Sequence, residues 1–242
     1  MNPRWAPGEP SRRLPFPIQK VRADPMIRES PACDPVGRML AFWSMNAAAV
    51  SASFALDCHP RTPSSALRGV DVTVGESASG SLTLMFGLAG DLSGLRIPDS
   101  RPSRRAGDLW RHTCLEVFVM GGEGPGYREF NFSPSGEWMV YDFHAYRDGG
   151  ALEVDLQPGI RVRKTGDRLE LDAEIRRDFL PSDRPLRLGL SAVVEDVRGV
   201  LSYWALQHPP GKPDFHHTDG FALEMESTRL REHKDPVDGA WP

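Results

Sequence analysis

LWRHTCLEVFVMGGEGPGYREFNFSPSGEWMVYDFHAY, residues Leu109–Tyr146, decides the fold class. Three apolar runs lie close together in it: Leu115–Met120, Tyr127–Phe132 and Glu137–Phe143. Gly121–Gly126, with Pro125 inside it, separates the first two, and Ser133-Pro134-Ser135-Gly136 separates the second two. Glycine supplies positive φ and proline presets φ, so both gaps read as turns. The runs are too short for helices and rich in Phe, Tyr, Trp and Val. That pattern predicts three antiparallel strands joined as a meander.

Alternation along these strands sorts the residues into faces. Tyr127, Glu129 and Asn131 share one face; Arg128, Phe130 and Phe132 share the other. Glu116 shares a face with Phe118 in the preceding strand. A carboxylate set mid-strand beside aromatics is costly to bury unless it is hydrogen-bonded. Glu116, Glu129 and Asn131 therefore either face solvent, as one side of an antiparallel sheet commonly does, or line a polar concavity.

The flanking sequence continues the pattern. Ser51–Asp57 reads as a first strand, Val70, Val72 and Val74 mark a second, and Leu82, Leu84, Phe86 and Leu88 a third. Asp91–Gly107 reads as a loop whose Arg101, Arg104 and Arg105 form a solvated rim or an anion or sugar contact. Gly149–Gly159 is another loop. Ile160–Arg163 and Arg168–Ile175 form a hairpin with Leu169, Leu171, Ala173 and Ile175 on one face and acids on the other. Arg177–Leu180 reads as a helical turn. Strands follow at Leu186–Glu195, Leu201–Leu206 and Phe221–Met225. About ten short strands with regular turns and no long helix predict an all-β chain, a single antiparallel β-sandwich of immunoglobulin-like or jelly-roll type.

The ends differ from this middle. Residues 1–45 are rich in Pro and Arg with no lasting apolar period, which predicts a disordered extension. Met45 reads as an alternative start. The sandwich is expected over 46–228, and 229–242 as a polar tail.

Composition narrows the function. With 242 residues and 40% hydrophobic content, one sizeable core fits. A net charge of −4 argues against nucleic acid, whose phosphates call for a basic stripe. The three cysteines, Cys33, Cys58 and Cys114, contain no CxxC pair and indicate neither a disulfide framework nor a structural zinc site. A reducing, cytoplasmic location is expected, with no transmembrane segment and no convincing signal peptide. Oligomeric state is left open.

A second cluster, Ser202–His217 (SYWALQHPPGKPDFHH), gathers aromatic, amide, acidic, basic and imidazole groups on a proline-stiffened loop. Four readings compete for it. In the first, Trp138, Trp204 and Trp110 stack on a sugar ring. Glu116, Glu129, Asn131, Gln207, His208, Lys212, Asp214, His216 and His217 then supply polar contacts; the bland counterpart is that the tryptophans are core. In the second, His208, Asp214, His216 and His217 hold a metal, although adjacent histidines in a strand point opposite ways. In the third, haem is bound through ligands drawn from His112, His144, His216, Met85, Met120 and Met139, without any CxxCH motif. In the fourth, Glu116 and Glu129 act as a glycosidase-like pair. No GxSxG, HExxH or Walker pattern is present.

The segments LWRHTCLEVFV, YREFNFSPSGEWMVYDFHAYR, GLSAVVED and SYWALQHPPGKPDFHH together resemble the bacterial DOMON-like proteins. That group is placed with family 9 carbohydrate-binding modules and with the DOMON haem- and sugar-binding domains. The resemblance spans roughly residues 51–225. It implies a β-sandwich and ligand binding, with sugar or haem as the ligands of relatives and Trp138, Trp204 and Glu116 as positions matching the sugar contacts. The combined expectation is non-catalytic binding of a small polar ligand, a carbohydrate, where the Glu116/Glu129/Asn131 face meets the Trp204–His217 loop. No cofactor is required, haem being the alternative. Trp204→Ala is expected to weaken binding more than folding.

Overall fold

A computed structural model describes residues 19–20 and 51–226 of the chain. The expected disorder of 1–45 and the polar tail at 229–242 lie outside the described residues, apart from Gln19–Lys20. The strands are β1 (Gln19–Lys20), β2 (Ser51–Cys58), β3 (Leu67–Glu76), β4 (Leu82–Gly90), β5 (Arg104–Arg105), β6 (Cys114–Gly121), β7 (Tyr127–Phe132), β8 (Glu137–Ala145), β9 (Asp148–Ala151), β10 (Arg161–Thr165), β11 (Arg168–Ile175), β12 (Leu186–Glu195), β13 (Leu201–Ala205) and β14 (Leu223–Met225). Single 3₁₀ turns at Leu92–Gly94, Leu109–Arg111, Arg177–Phe179 and Thr218–Gly220 complete the described elements. None of these helices is long and apolar enough to cross a membrane.

The strands form one curled sheet folded into two layers. β10-β11-β4-β3-β2 makes the first layer, and β13-β12-β6-β7-β8 the second. The layers join where Asp57 and Cys58 at the end of β2 pair with Ala205 and Trp204 of β13. Every ladder is antiparallel except two two-residue parallel pairings, β1 with β14 and β5 with β8. The central meander is β6-β7-β8, with Glu116 opposite Asn131 and Glu129 opposite Tyr141. β5 and β9 fall in stretches expected to be loops; two adjacent arginines and an Asp-Gly-Gly-Ala run carry no apolar alternation, so only the neighbouring edge of β8 reveals them.

The core lies between the layers. Val72, Phe86 and Leu171 from one side meet Val117, Phe130 and Leu190 from the other, all nearly free of solvent contact. Burial of such side chains is worth about 1.5–3 kcal/mol each and supplies the main driving force for the layered fold.

Trp138 and Trp204 belong to this core and not to a binding surface. Strand parity explains the correction. Trp138 is the ladder partner of Phe132 and shares its inward face, and Trp204 is the partner of inward-facing Ala192. Trp204 is 6% exposed, and its indole N–H donates to the Ser202 hydroxyl at 3.0 Å. Neither ring is available for stacking on a ligand.

Candidate functional site: a hollow on the outer face of the meander

The opposite face of the second layer is built from the alternate residues of the same strands. It carries Cys114, Glu116 and Phe118 from β6, Tyr127, Glu129 and Asn131 from β7, and Met139, Tyr141 and Phe143 from β8. β12 adds Ser191 beside Glu116 and Gly189 beside Phe118. β13 adds Tyr203 beside Val193.

Two segments cross this face and turn it into a concavity. One is the stretch around the 3₁₀ turn Leu109–Arg111. The other is the proline-rich loop from Leu206 to Ala222. Gly189 lets the second crossing sit close: a Cβ there would lie 2.6 Å from the Phe221 ring. Phe221 itself stacks on Phe118 at 5.6 Å.

The resulting hollow encloses about 590 Å³, a size suited to a small molecule. Glu116, Phe118, Glu129, Tyr141, Phe143 and Tyr203 line it from the sheet; Asp108 and Trp110 line it from the first crossing. Lys212, Asp214, Phe215 and His216 come from the second crossing, and Arg147 from the chain after β8. Its floor is acidic and its walls are aromatic. Asp108 (φ 58°) and Arg147 (φ 55°) are the non-glycine residues with left-handed backbone among the described residues. Each such conformation costs about 1–2 kcal/mol, and both fall at this hollow, where strained residues often accompany function.

Glu116 and Glu129 are 2% and 5% exposed. The Ser191 hydroxyl donates to Glu116 Oε2 at 3.3 Å, and Asn131 Nδ2 donates to Glu129 Oε1 at 2.8 Å. These contacts do not offset desolvation. Burial lifts the Glu116 carboxyl well above the usual carboxylate range, and the neighbouring Glu129 charge adds to the lift. Burial likewise raises Glu129 to about 7, against lowering by the Asn131 amide and Arg147. The Asn131 Oδ1 is buried with no partner among the described residues.

His216 is held between two groups. Its Nδ1 lies 2.9 Å from the Tyr127 hydroxyl, which also accepts the Arg147 N–H at 3.1 Å. Its Nε2 lies 3.8 Å from Glu129 Oε2. That spacing would suit an ion pair, yet burial, then Arg147, lowers the imidazole to about 4. Desolvation therefore keeps both partners neutral near pH 6, with Tyr127 donating to Nδ1 and the Nε2–H turned toward Glu129. Asp214 is ionised. Burial opposes this, but the Tyr146 hydroxyl at 2.6 Å and the Arg147 guanidinium at 2.9 Å hold its carboxyl below the ordinary value.

Among the residues singled out in the sequence, Glu116, Glu129, Lys212, Asp214 and His216 come together around the hollow. Asn131 sits at their back, bonded to Glu129. Gln207, His208 and His217 do not line it. His208 packs edge-on against His59 and bonds the Asp57 carbonyl, and His217 caps the 3₁₀ turn Thr218–Gly220 by accepting the Asp219 N–H. His208, Asp214, His216 and His217 are thus engaged separately, and no group of three or more His, Cys, Asp or Glu side chains among the described residues is arranged to hold a metal. Of the six residues considered for haem, only His216 lines the hollow. No methionine is among the lining residues, so the His-and-Met pair is not assembled in the hollow. The Arg104 guanidinium pairs with Glu137 at 2.7 Å, with Arg101 near the same carboxylate, and Arg105 pairs with Glu153.

Tyr141, Tyr203, Phe118, Phe143 and Phe215 were absent from the expected ligand contacts. Phe118, Tyr141 and Phe143 follow from parity once Glu116 and Glu129 are fixed on a face, whereas Tyr203 is placed only by its pairing with Val193. Phe215 and Arg147 carried no periodic signal.

No family model matches the sequence, and no curated protein matches it. Among solved structures the chain is similar to a protein of Bacteroides uniformis ATCC 8492 described as a "putative carbohydrate-binding protein". That match has 14% identity and a TM-score of 0.57, over 72% of this chain and 86% of the other. It is also similar to a family 9 carbohydrate-binding module from Caldicellulosiruptor kristjanssonii in complex with glucose, at 11% identity and a TM-score of 0.41, over 73% and 88%. The first likeness shows a shared β-sandwich fold.

Proposed function

We propose that the chain binds a small polar ligand, a sugar, in this hollow without catalysing a reaction. The observation that carries the reading is the pairing of buried acceptors on the floor with several aromatic faces around them. A pyranose presents that same combination, hydroxyls at its edge and C–H groups on its faces. Trp110, 46% exposed at the rim, replaces Trp138 and Trp204 as the indole positioned to stack on a ring. The description of the Bacteroides uniformis protein with the same fold supports the reading, as does the resemblance to DOMON-like proteins and family 9 carbohydrate-binding modules.

Isothermal titration against a panel of monosaccharides tests the proposal. Trp110→Ala should weaken the best binder by about three- to tenfold, since an aromatic contact is worth about 0.5–1.5 kcal/mol. Its melting temperature should stay near that of the parent. A full panel without binding would overturn the proposal. Hydrolysis of chromogenic glycosides, lost in Glu116→Gln or Glu129→Gln, would overturn its non-catalytic part.

A further inference from the structure

Hydrogen-bonding capacity at the bottom of the hollow is unbalanced. Glu116 and Glu129 present carboxyl oxygens to the hollow, acceptors only when ionised, and the partnerless Asn131 Oδ1 lies behind them. Once ionised, the two carboxylates would have as protein donors the Ser191 hydroxyl at 3.3 Å, the Asn131 amide at 2.8 Å, the weak Cys114 thiol and the His216 ring N–H at 3.8 Å. Nearby cations are committed or peripheral. Arg147 pairs with Asp214, and Lys212 lies on the exposed stretch of the loop, outside the deep floor. Aromatic faces of Phe118, Tyr141, Phe143 and Tyr203 stand around the two carboxylates.

We infer that the floor is a subsite for an ammonium group, so that the preferred ligand is an amino sugar with a free amine. This rests on the reading of the hollow as a sugar site. An ammonium carries three donors and no acceptor, which suits a floor of two carboxyl groups; a hydroxyl brings one donor and its own lone pairs. Its charge restores to the buried carboxylates the partner that the protein leaves out, and ring faces attract a cation in addition. An N-acetylated amine loses both the charge and two donors.

Binding would ionise a carboxyl that is otherwise protonated and release about one proton per ligand below pH 7. The titratable groups facing the floor are Cys114, Tyr127, Tyr141, Tyr203, Asp108, Arg147, Lys212, Asp214 and His216. Of these, Asp214 and Arg147 neutralise each other, and His216 stays uncharged above about pH 4. The pH response near neutrality is therefore assigned to Glu129, which titrates at about 7.

The test is calorimetry of the full chain with glucosamine, glucose, N-acetylglucosamine and cyclohexylammonium, in two buffers of different ionisation enthalpy. Glucosamine should bind roughly tenfold to a hundredfold more tightly than glucose, the range expected for a charge-assisted contact. It should release about one proton near pH 6.5, and the preference should shrink in both Glu129→Gln and Glu116→Gln. Equal binding of glucose and glucosamine would overturn the ammonium subsite and leave the sugar reading standing. Binding of cyclohexylammonium alone would keep the subsite and overturn the sugar reading. Silence with all four probes would overturn both.

Discussion

Glu129→Gln probes the cost of the buried carboxyl. In the folded chain Glu129 keeps its proton to about pH 7, because burial raises it from an ordinary 4.5. In the unfolded chain it ionises near the ordinary value. Between these two pH values the folded form holds more protons, so stability falls as pH rises. Each factor of ten in proton affinity is worth about 1.4 kcal/mol, and the window from 4.5 to about 7 gives a loss on the order of 3 kcal/mol. Glu116 acts in the same direction. His216 acts in the opposite one: it stays neutral in the fold down to about 4, whereas a free imidazole protonates near 6.5, so it adds stability as pH rises through that interval. The wild-type profile is therefore a sum of opposing slopes. The difference between wild type and Glu129→Gln reports Glu129 together with the part of the Glu116 lift that its charge supplies. Glutamine keeps the oxygen that accepts from Asn131. Urea unfolding followed by tryptophan fluorescence should show the variant near the parent at pH 5. By pH 8 it should gain on the parent by up to about 3 kcal/mol. A stability difference that does not change between pH 5 and pH 8 would refute the assignment of the raised carboxyl to Glu129.

Trp204→Ala removes a core indole and should cost about 3–5 kcal/mol in urea unfolding. Ligand affinity of the fraction that remains folded should stay close to the parent's, the reverse of what the sequence led one to expect. Gly189→Ala drives a methyl to within 2.6 Å of the Phe221 ring. It should cost about 1–3 kcal/mol by thermal melting and loosen the Leu206–Ala222 crossing, seen as faster proteolysis within that loop. Tyr127→Phe deletes the hydroxyl shared by the Arg147 N–H and His216 Nδ1. It should destabilise by about 1–3 kcal/mol and raise the His216 pKa shift toward its ordinary range, read by NMR titration of the imidazole.

The layered fold was legible because its strands obey one rule. Leu82 to Leu88 and Leu169 to Ile175 place apolar residues at every second position, and period 2 with Gly- and Pro-marked turns leaves little choice but a sandwich. The floor of the hollow was legible for the same reason: Glu116 and Glu129 break the apolar pattern in strands whose turns fix the pairing. The tryptophans were not, and the cause is specific. In Ser202-Tyr203-Trp204 both faces carry an aromatic, so alternation says that Tyr203 and Trp204 oppose each other but not which one faces inward. Only the partner strand decides. Trp204 lies across from Ala192, between Leu190 and Val194 of the core, while Tyr203 lies across from Val193 on the hollow side. Trp138 repeats the case through Phe132. A polar interruption on one face is thus the better guide to a site than the largest aromatic nearby. The interruption costs desolvation and persists against that cost, whereas an indole lowers the free energy of a core as readily as that of a ligand complex. The consequence reaches the binding reading itself. With the two inward indoles removed, specificity in the hollow falls to its carboxylates and to the rings that parity sets beside them, which is why charge on the ligand, and not stacking area, should order the affinities.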